Sequence, residues 1–284
     1  MLVVLAVLAA AASAAAGSSV KTAAPVILSK RVTAAVSDVM NPDAPAWKKA
    51  PPHTVKLQSQ NLAWPMNFHP SVKQLAVRCV HNDLGWIAFR LEWQDMTRDG
   101  TPRTGKFSDV AAIMFPLDPK NPPAPLMGHR PGGRVHIIQW RSDWQIDVDR
   151  GGETTIRDLY PNAVIDAPVD QVYRYADSQS YSAGRAIGNI VSQSRHFQSV
   201  QDLMAEGFGS LTPKPLQNAL GKGTWRGGKW QIVIARPMES PTDPDAAPLI
   251  EDSTSFIGFA LWNGSARERG ASKGWAPWVK LVIE

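Results

Sequence analysis

The stretch "LAVRCVHNDLGWIAFRLEWQD", residues 75–95, decides the fold. Apolar and polar residues alternate on both sides of a His81-Asn82-Asp83 turn, at the two-residue period of a half-buried strand. β-Branched and aromatic side chains fill both arms, and each arm is strand-length. The reading is a pair of strands over Gln74–Val80 and Gly85–Trp93. The same pattern recurs in Asp109–Phe115, Arg134–Trp140, Lys229–Arg236, Ser255–Trp262 and Trp278–Ile283. Turn signals such as Asp99-Gly100 and Gly227-Gly228 separate these runs, and 23 prolines with 21 glycines suit a fold made of short strands. A mainly β protein is predicted, an antiparallel β-sandwich, with an open barrel as the neighbouring solution.

Two regions depart from the pattern. Between about residues 149 and 207 the chain turns polar and partly helical, with Val200–Glu206 read as helix, which suggests an insertion of functional length. Residues 17–50 are Ala/Pro-rich; their "NPDAPAWKKAPP" (41–52) reads as an extended lead-in anchored by Trp47, and the sandwich would occupy 51–284. Ahead of it, Leu2–Ala16 is apolar apart from Ser13 and offers small-x-small sites at Ala12-Ser13-Ala14 and Ala14-Ala15-Ala16. At about 15 residues it is short for a span, which needs about 20. Residues 1–16 therefore read as a signal peptide, with an uncleaved anchor as the other possibility. The mature chain is expected in the periplasm or otherwise exported, without a membrane span.

The net charge of +5 is diffuse, and no aromatic residues interleave with Lys or Arg as a base-stacking surface would require. An acidic protein partner fits that charge at least as well as nucleic acid, which is not expected. The single cysteine, Cys79, excludes an intrachain disulfide, cysteine-held zinc or iron–sulfur sites, and the paired thioether links of a c-type haem.

Catalytic signatures are missing: there is no glycine-rich phosphate loop, no G-x-S-x-G elbow and no H-E-x-x-H. The six histidines are scattered. What stands out is Met127 in "PAPLMGHRPGG" (123–133), a methionine in a loop of prolines and glycines. Such a residue serves as core filler, as a partner contact, or as a soft, uncharged ligand for haem iron or copper(I).

Several words occur in a recognisable order: Asp43-Ala44-Pro45-Ala46-Trp47, Leu75–Asp95, "FSDVAAIMFP" (107–116), "PLMG" (125–128), "VHIIQWRSDWQ" (135–145), "GFGSLTP" (207–213), Gly221–Met238 and "GFALWNGSARERGASKGWAPWVKL" (258–281). Together they resemble the haem b-binding γ subunit of periplasmic molybdenum enzymes, the family of the ethylbenzene dehydrogenase, dimethylsulfide dehydrogenase, chlorate reductase and selenate reductase γ subunits, to which the nitrite oxidoreductase haem subunit is related. The resemblance runs from about residue 40 to 281, apart from the insertion.

The resemblance implies one b-type haem held non-covalently in a β-sandwich between a methionine and a lysine. Met127 matches the methionine. Lys273 matches the lysine, with Lys222 as the alternative; His129 stands where relatives commonly carry an acidic residue, and is a third candidate for the iron. Arg130 and Arg134 are candidates for the propionates, and Trp140, Trp144, Trp262 and Trp275 for walls of the macrocycle. The implied role is a non-catalytic electron-transfer subunit. It would relay electrons between the iron–sulfur (β) subunit of a complex with a molybdenum (α) subunit and a soluble c-type cytochrome. Other readings are a haem-free sugar- or protein-binding sandwich, an independent enzyme with the insertion as lid, and a haem protein outside any molybdenum complex.

Overall fold

The computed structural model describes residues 26–101, 103–162, 183–193 and 195–284. The expected signal peptide, 1–16, lies outside them. Twelve strands form one sheet in the order β8-β7-β6-β5-β11-β12-β1-β3-β4-β10-β9, with β2 (His53–Lys56) paired to β3 outside this path. The strands are β1 (Val26–Val32), β3 (Gln74–Asn82), β4 (Trp86–Gln94), β5 (Val110–Pro116), β6 (Val135–Arg141), β7 (Val200–Ala205), β8 (Thr212–Pro213), β9 (Leu220–Trp225), β10 (Lys229–Pro237), β11 (Ser253–Trp262) and β12 (Gly274–Ile283). All seven runs predicted as strands are strands. The predicted sandwich is one continuous sheet curled on itself, and it is mixed: β1 runs parallel to both β12 and β3.

The curl follows from alternation. Ile87, Phe89, Leu91 and Trp93 of β4 meet Ala111, Ile113 and Phe115 of β5 and Ile138 and Trp140 of β6 in one inner core, so the two halves of the sheet face each other across it. Trp140 and Trp230 cross edge to face at 4.9 Å, and Trp93 stacks on Trp230 at 6.3 Å. Such aromatic contacts add about 1 kcal/mol each beyond burial. Cys79 sits in this core as predicted, and burial pushes its thiol pKa up.

Each half has an outer face as well. Over β3, β4 and β10 the lead-in supplies the cover: Val32, Val39, Ala44 and Trp47 pack on Val80, Ala88 and Val233. Trp47 is buried, its indole N–H donating to Val39 O at 3.0 Å, so it anchors the segment. The lead-in is less extended than expected, for it contributes β1, one helical turn α1 (Val36–Val39) and a 3₁₀ turn at Pro45–Lys48. Over β5, β6, β7 and β11 the outer face carries Val110, Ala112, Ile137, Leu203 and Trp262, and here the cover is incomplete.

A nine-residue helix, α2 (Ser142–Arg150), ended by Gly151 at φ 70°, leads into the region expected as an insertion, about 149–207. That region does not end in the helix expected at Val200–Glu206. Val200–Ala205 is strand β7, paired with β6 from Trp140↔Val200 to Val135↔Ala205. The sequence "VQDLMA" has weak strand propensity, and pairing with burial on both faces overrides it.

At one end of the inner core lies a charged cluster. His136 donates from Nε2 to Asp202 Oδ1 at 2.9 Å, and its Nδ1 accepts from Arg236 at 3.2 Å; Lys214 pairs with Asp243 at 2.7 Å. All five side chains are buried. Burial holds the His136 pKa down to about 4, against the pull of Asp202 and with help from Arg236 and Lys214. Below its ordinary value near 6.5 the unfolded chain binds a proton that the folded chain refuses until about 4. Stability is therefore full above pH 6.5 and falls through that window by up to about 1.4 kcal/mol per unit. Denaturant unfolding at pH 7, 5.5 and 4.5 checks this, and in His136→Gln the slope flattens.

Candidate functional site

The uncovered outer face forms the floor of a cavity of about 620 Å³. That is the size of a small-molecule or cofactor site. Val110, Ala112 and Met114 of β5, Ile137 and Gln139 of β6, and Ala260 of β11 make the floor. Small residues at Ala112 and Ala260 keep it low and flat. Three of the loops that wall it are residues 60–64 after β2, 125–127 before β6, and 268–273 between β11 and β12; residues 107–108 and 208–211 complete the wall.

Met127 lines the cavity from the second loop. It stands at φ 64°, a left-handed conformation that costs a non-glycine residue about 1–2 kcal/mol. Its neighbours enforce it: Met127 O accepts from Gly207 N at 2.7 Å, and His129 and Gly133 exchange two backbone hydrogen bonds at 3.0 Å. Gly128 follows at φ 79°, and a Cβ there would lie 2.1 Å from Gly133 O. A strained side chain held by rigid surroundings and turned into a cavity points to use of that side chain.

Lys273 lines the cavity from the third loop. Its Nζ lies 5.0 Å from the Trp262 ring centroid, and among the described residues it forms no ion pair. Burial alone pushes its pKa down to about 8, although its surface toward the cavity remains partly accessible. An amine without a carboxylate beside it, in apolar surroundings, gives up its proton readily.

The lysine loop is fastened by two buried residues. Glu268 accepts from Asn67 Nδ2 at 3.0 Å, Ser71 N at 2.8 Å and Asn263 N at 2.9 Å. Gln60 donates to Ala271 O at 2.8 Å and accepts from Leu62 N and Ala63 N. Neither residue was singled out from sequence.

The other expected residues are placed as follows. Lys222 is exposed on β9, opposite Val233, and does not line the cavity. His129 is exposed and its ring rests against Gly133. Arg130 is exposed in the hairpin after Met127, and Arg134 pairs with Asp245; neither lines the cavity. Trp140 faces the inner core, and Trp144 stacks on His196 at 4.0 Å, while Trp262 and Trp275 do line the cavity. The arginines that reach it are Arg141, bridged to Asp143 at 2.7 Å, and Arg269, lying over Phe107 at 4.6 Å. Arg141 was findable: it shares the odd-numbered face of β6 with Ile137 and Gln139, one residue from the Trp140 that was chosen.

A family model described as ethylbenzene dehydrogenase matches residues 44–274, a span that contains both Met127 and Lys273. The chain belongs to the ethylbenzene dehydrogenase family. It is similar to a chlorate reductase subunit gamma from Ideonella dechloratans, 26% identical over 247 residues, covering 85% of this chain and 78% of that one. A putative respiratory nitrate reductase heme subunit, ORF7, from Haloferax mediterranei is 23% identical over 238 residues, covering 84% of this chain and 66% of the relative. A crystal structure of a putative carbohydrate-binding protein from Bacteroides uniformis aligns over 92% of this chain and 100% of that one, at 7% identity and a TM-score of 0.40. Within the ethylbenzene dehydrogenase family match, the described residues contain no helix long and apolar enough to cross a membrane.

Proposed function

We propose that the chain is a non-catalytic, haem-carrying electron-transfer subunit of a larger oxidoreductase complex. In this reading the 620 Å³ cavity would receive a b-type haem, and Met127 and Lys273 would hold its iron. The observation that carries it is the meeting of these two residues, far apart in sequence, on one apolar cavity. The donor set suits the group: a thioether is soft and uncharged, and a desolvated amine provides the lone pair that an ammonium lacks. When bound, the haem supplies a one-electron couple, whose ferrous state a methionine ligand favours.

The protein's own residues do the rest. Met127 is pre-positioned by its strained hairpin, and Glu268 with Gln60 fixes the loop that presents Lys273. Arg141 and Arg269 are the cations available to carboxylates at the cavity, in place of Arg130 and Arg134. Apolar floor residues exclude water from the cavity. The relatives' names, a chlorate reductase subunit gamma and a putative respiratory nitrate reductase heme subunit, support a place in a larger reductase complex, and the sequence resemblance makes iron–sulfur (β) and molybdenum (α) subunits its neighbours in this reading. A soluble c-type cytochrome completes the relay, in the periplasm.

Titrating the purified chain with haemin tests the reading. Saturation at one equivalent with a low-spin spectrum is expected; a chain that stays colourless, or binds haem without a defined endpoint, overturns it and favours a haem-free binding module.

A further inference from the structure

We propose that the rim of the cavity is a docking surface for an acidic redox protein, whose apolar centre meets an exposed apolar patch here while its carboxylates meet a basic surround. The proposal rests on the haem reading for its purpose, since a relay must face its redox partner where its group is closest to the surface.

The patch comes from two segments. In the loop between β2 and β3, Trp64 is 83% exposed, Phe68 58% and Leu62 56%. In the segment after β7, Phe208 is 52% exposed and Leu211 44%. Leu62, Trp64, Phe208 and Leu211 also line the cavity, so the apolar surface runs from the cavity outward over its mouth. Gln60 holds the first segment in shape from within, accepting from Leu62 N at 2.7 Å and donating to Ala63 O at 2.7 Å. Clustered exposed aromatics on a rigid loop mark an interaction site, because presenting them saves no energy in the free chain and ordering them costs little on binding.

The surrounding charge names the partner's chemistry. Lys106, beside the cavity-lining Phe107, and Arg267, in the lysine loop, are exposed and form no ion pair among the described residues. Arg130, exposed in the hairpin tied to Gly207, adds a third positive charge. The carboxylates of these loops keep their charge but stand back from solvent, Glu268 buried and accepting three N–H groups and Glu206 half-buried and accepting from Gly132 N, so the three exposed cations outnumber them. An apolar centre with net positive charge around it selects a partner of opposite charge and speeds its approach.

The test is stopped-flow electron transfer from the reduced, haem-loaded chain to two oxidised probes: plastocyanin as an acidic redox protein, and mitochondrial cytochrome c as a basic one. The rate constant with plastocyanin should fall roughly tenfold as salt rises from about 0.01 M to about 0.3 M, where screening shortens from roughly 30 Å to under about 10 Å. With cytochrome c it should rise or stay flat. Lys106→Glu/Arg267→Glu should abolish the fall, and Phe68→Ser should slow the reaction at high salt, both with unchanged spectra. The opposite salt dependence, rates unmoved by either variant, chain dimerisation by light scattering, or sedimentation with phosphatidylglycerol vesicles in preference to plastocyanin binding would overturn the docking surface. Failure of the haem reading appears separately, as a missing haem spectrum; titration calorimetry of the purified chain with plastocyanin then still decides the docking claim.

Discussion

Replacing Asp202 by alanine should lower the unfolding free energy by about 3–5 kcal/mol, the cost of leaving buried charges without their partner. Asp202 is buried on β7, where Oδ1 accepts from His136 and Oδ2 from Ala219 N at 2.8 Å. Within the cluster it and Asp243 balance Lys214 and Arg236 around a neutral imidazole. Without it, two cations face one carboxylate in an interior that water does not reach. The cluster also joins β6, β7 and β10, so it holds the two halves of the curled sheet together at that end. Asp202→Asn keeps the acceptor for His136 but not the charge, and should cost less. Asp83→Ala is the control: its pairing with Arg31 is exposed and screened by solvent, so its loss should cost little. Urea unfolding measures all three, and an Asp202→Ala loss below that of Asp83→Ala would refute the role given to the cluster.

Lys273→Ala should weaken haem binding by more than about 100-fold, since loss of groups that merely support a metal ligand already costs 10- to 100-fold. The same substitution should leave the haem-free chain as stable as before, or more so. It removes an amine whose pKa burial has pushed down to about 8 and which no carboxylate compensates. Opposite effects on folding and on cofactor binding are what a residue kept for function produces. Lys222→Ala, on the exposed edge of β9, should change neither quantity. Haemin titrations and denaturant unfolding of both variants separate the two lysines, and a spectrum altered only in Lys222→Ala would transfer the ligand assignment to β9.

The strands were legible because burial in a curled sheet leaves a two-residue period on one or both faces, as in "WIAFRLEW". β7 was not, because pairing, and not composition, makes "VQDLMA" extended. The mixed character of the sheet was hidden for a similar reason. β1 comes from an Ala/Pro-rich lead-in and finds its neighbours, β12 and β3, only after the chain has folded. At the site, Met127 was conspicuous as a methionine among prolines and glycines. The arginines at the cavity were missed by choosing sequence neighbours of Met127. A hairpin turns Arg130 and Arg134 outward, while Arg269 arrives from another loop. Glu268 and Gln60 gave no signal at all, because their work is done across 200 residues of sequence, as in Glu268 to Asn67 with a separation of 201.

One porphyrin gripped between a thioether and an amine is the claim on which the functional account stands. The dithionite-reduced absorption spectrum of the haemin-loaded chain, recorded beside that of Met127→Ala, tests it most directly. A sharp low-spin α band in the native chain and its loss in the variant is the predicted result; an identical band in both would contradict the account.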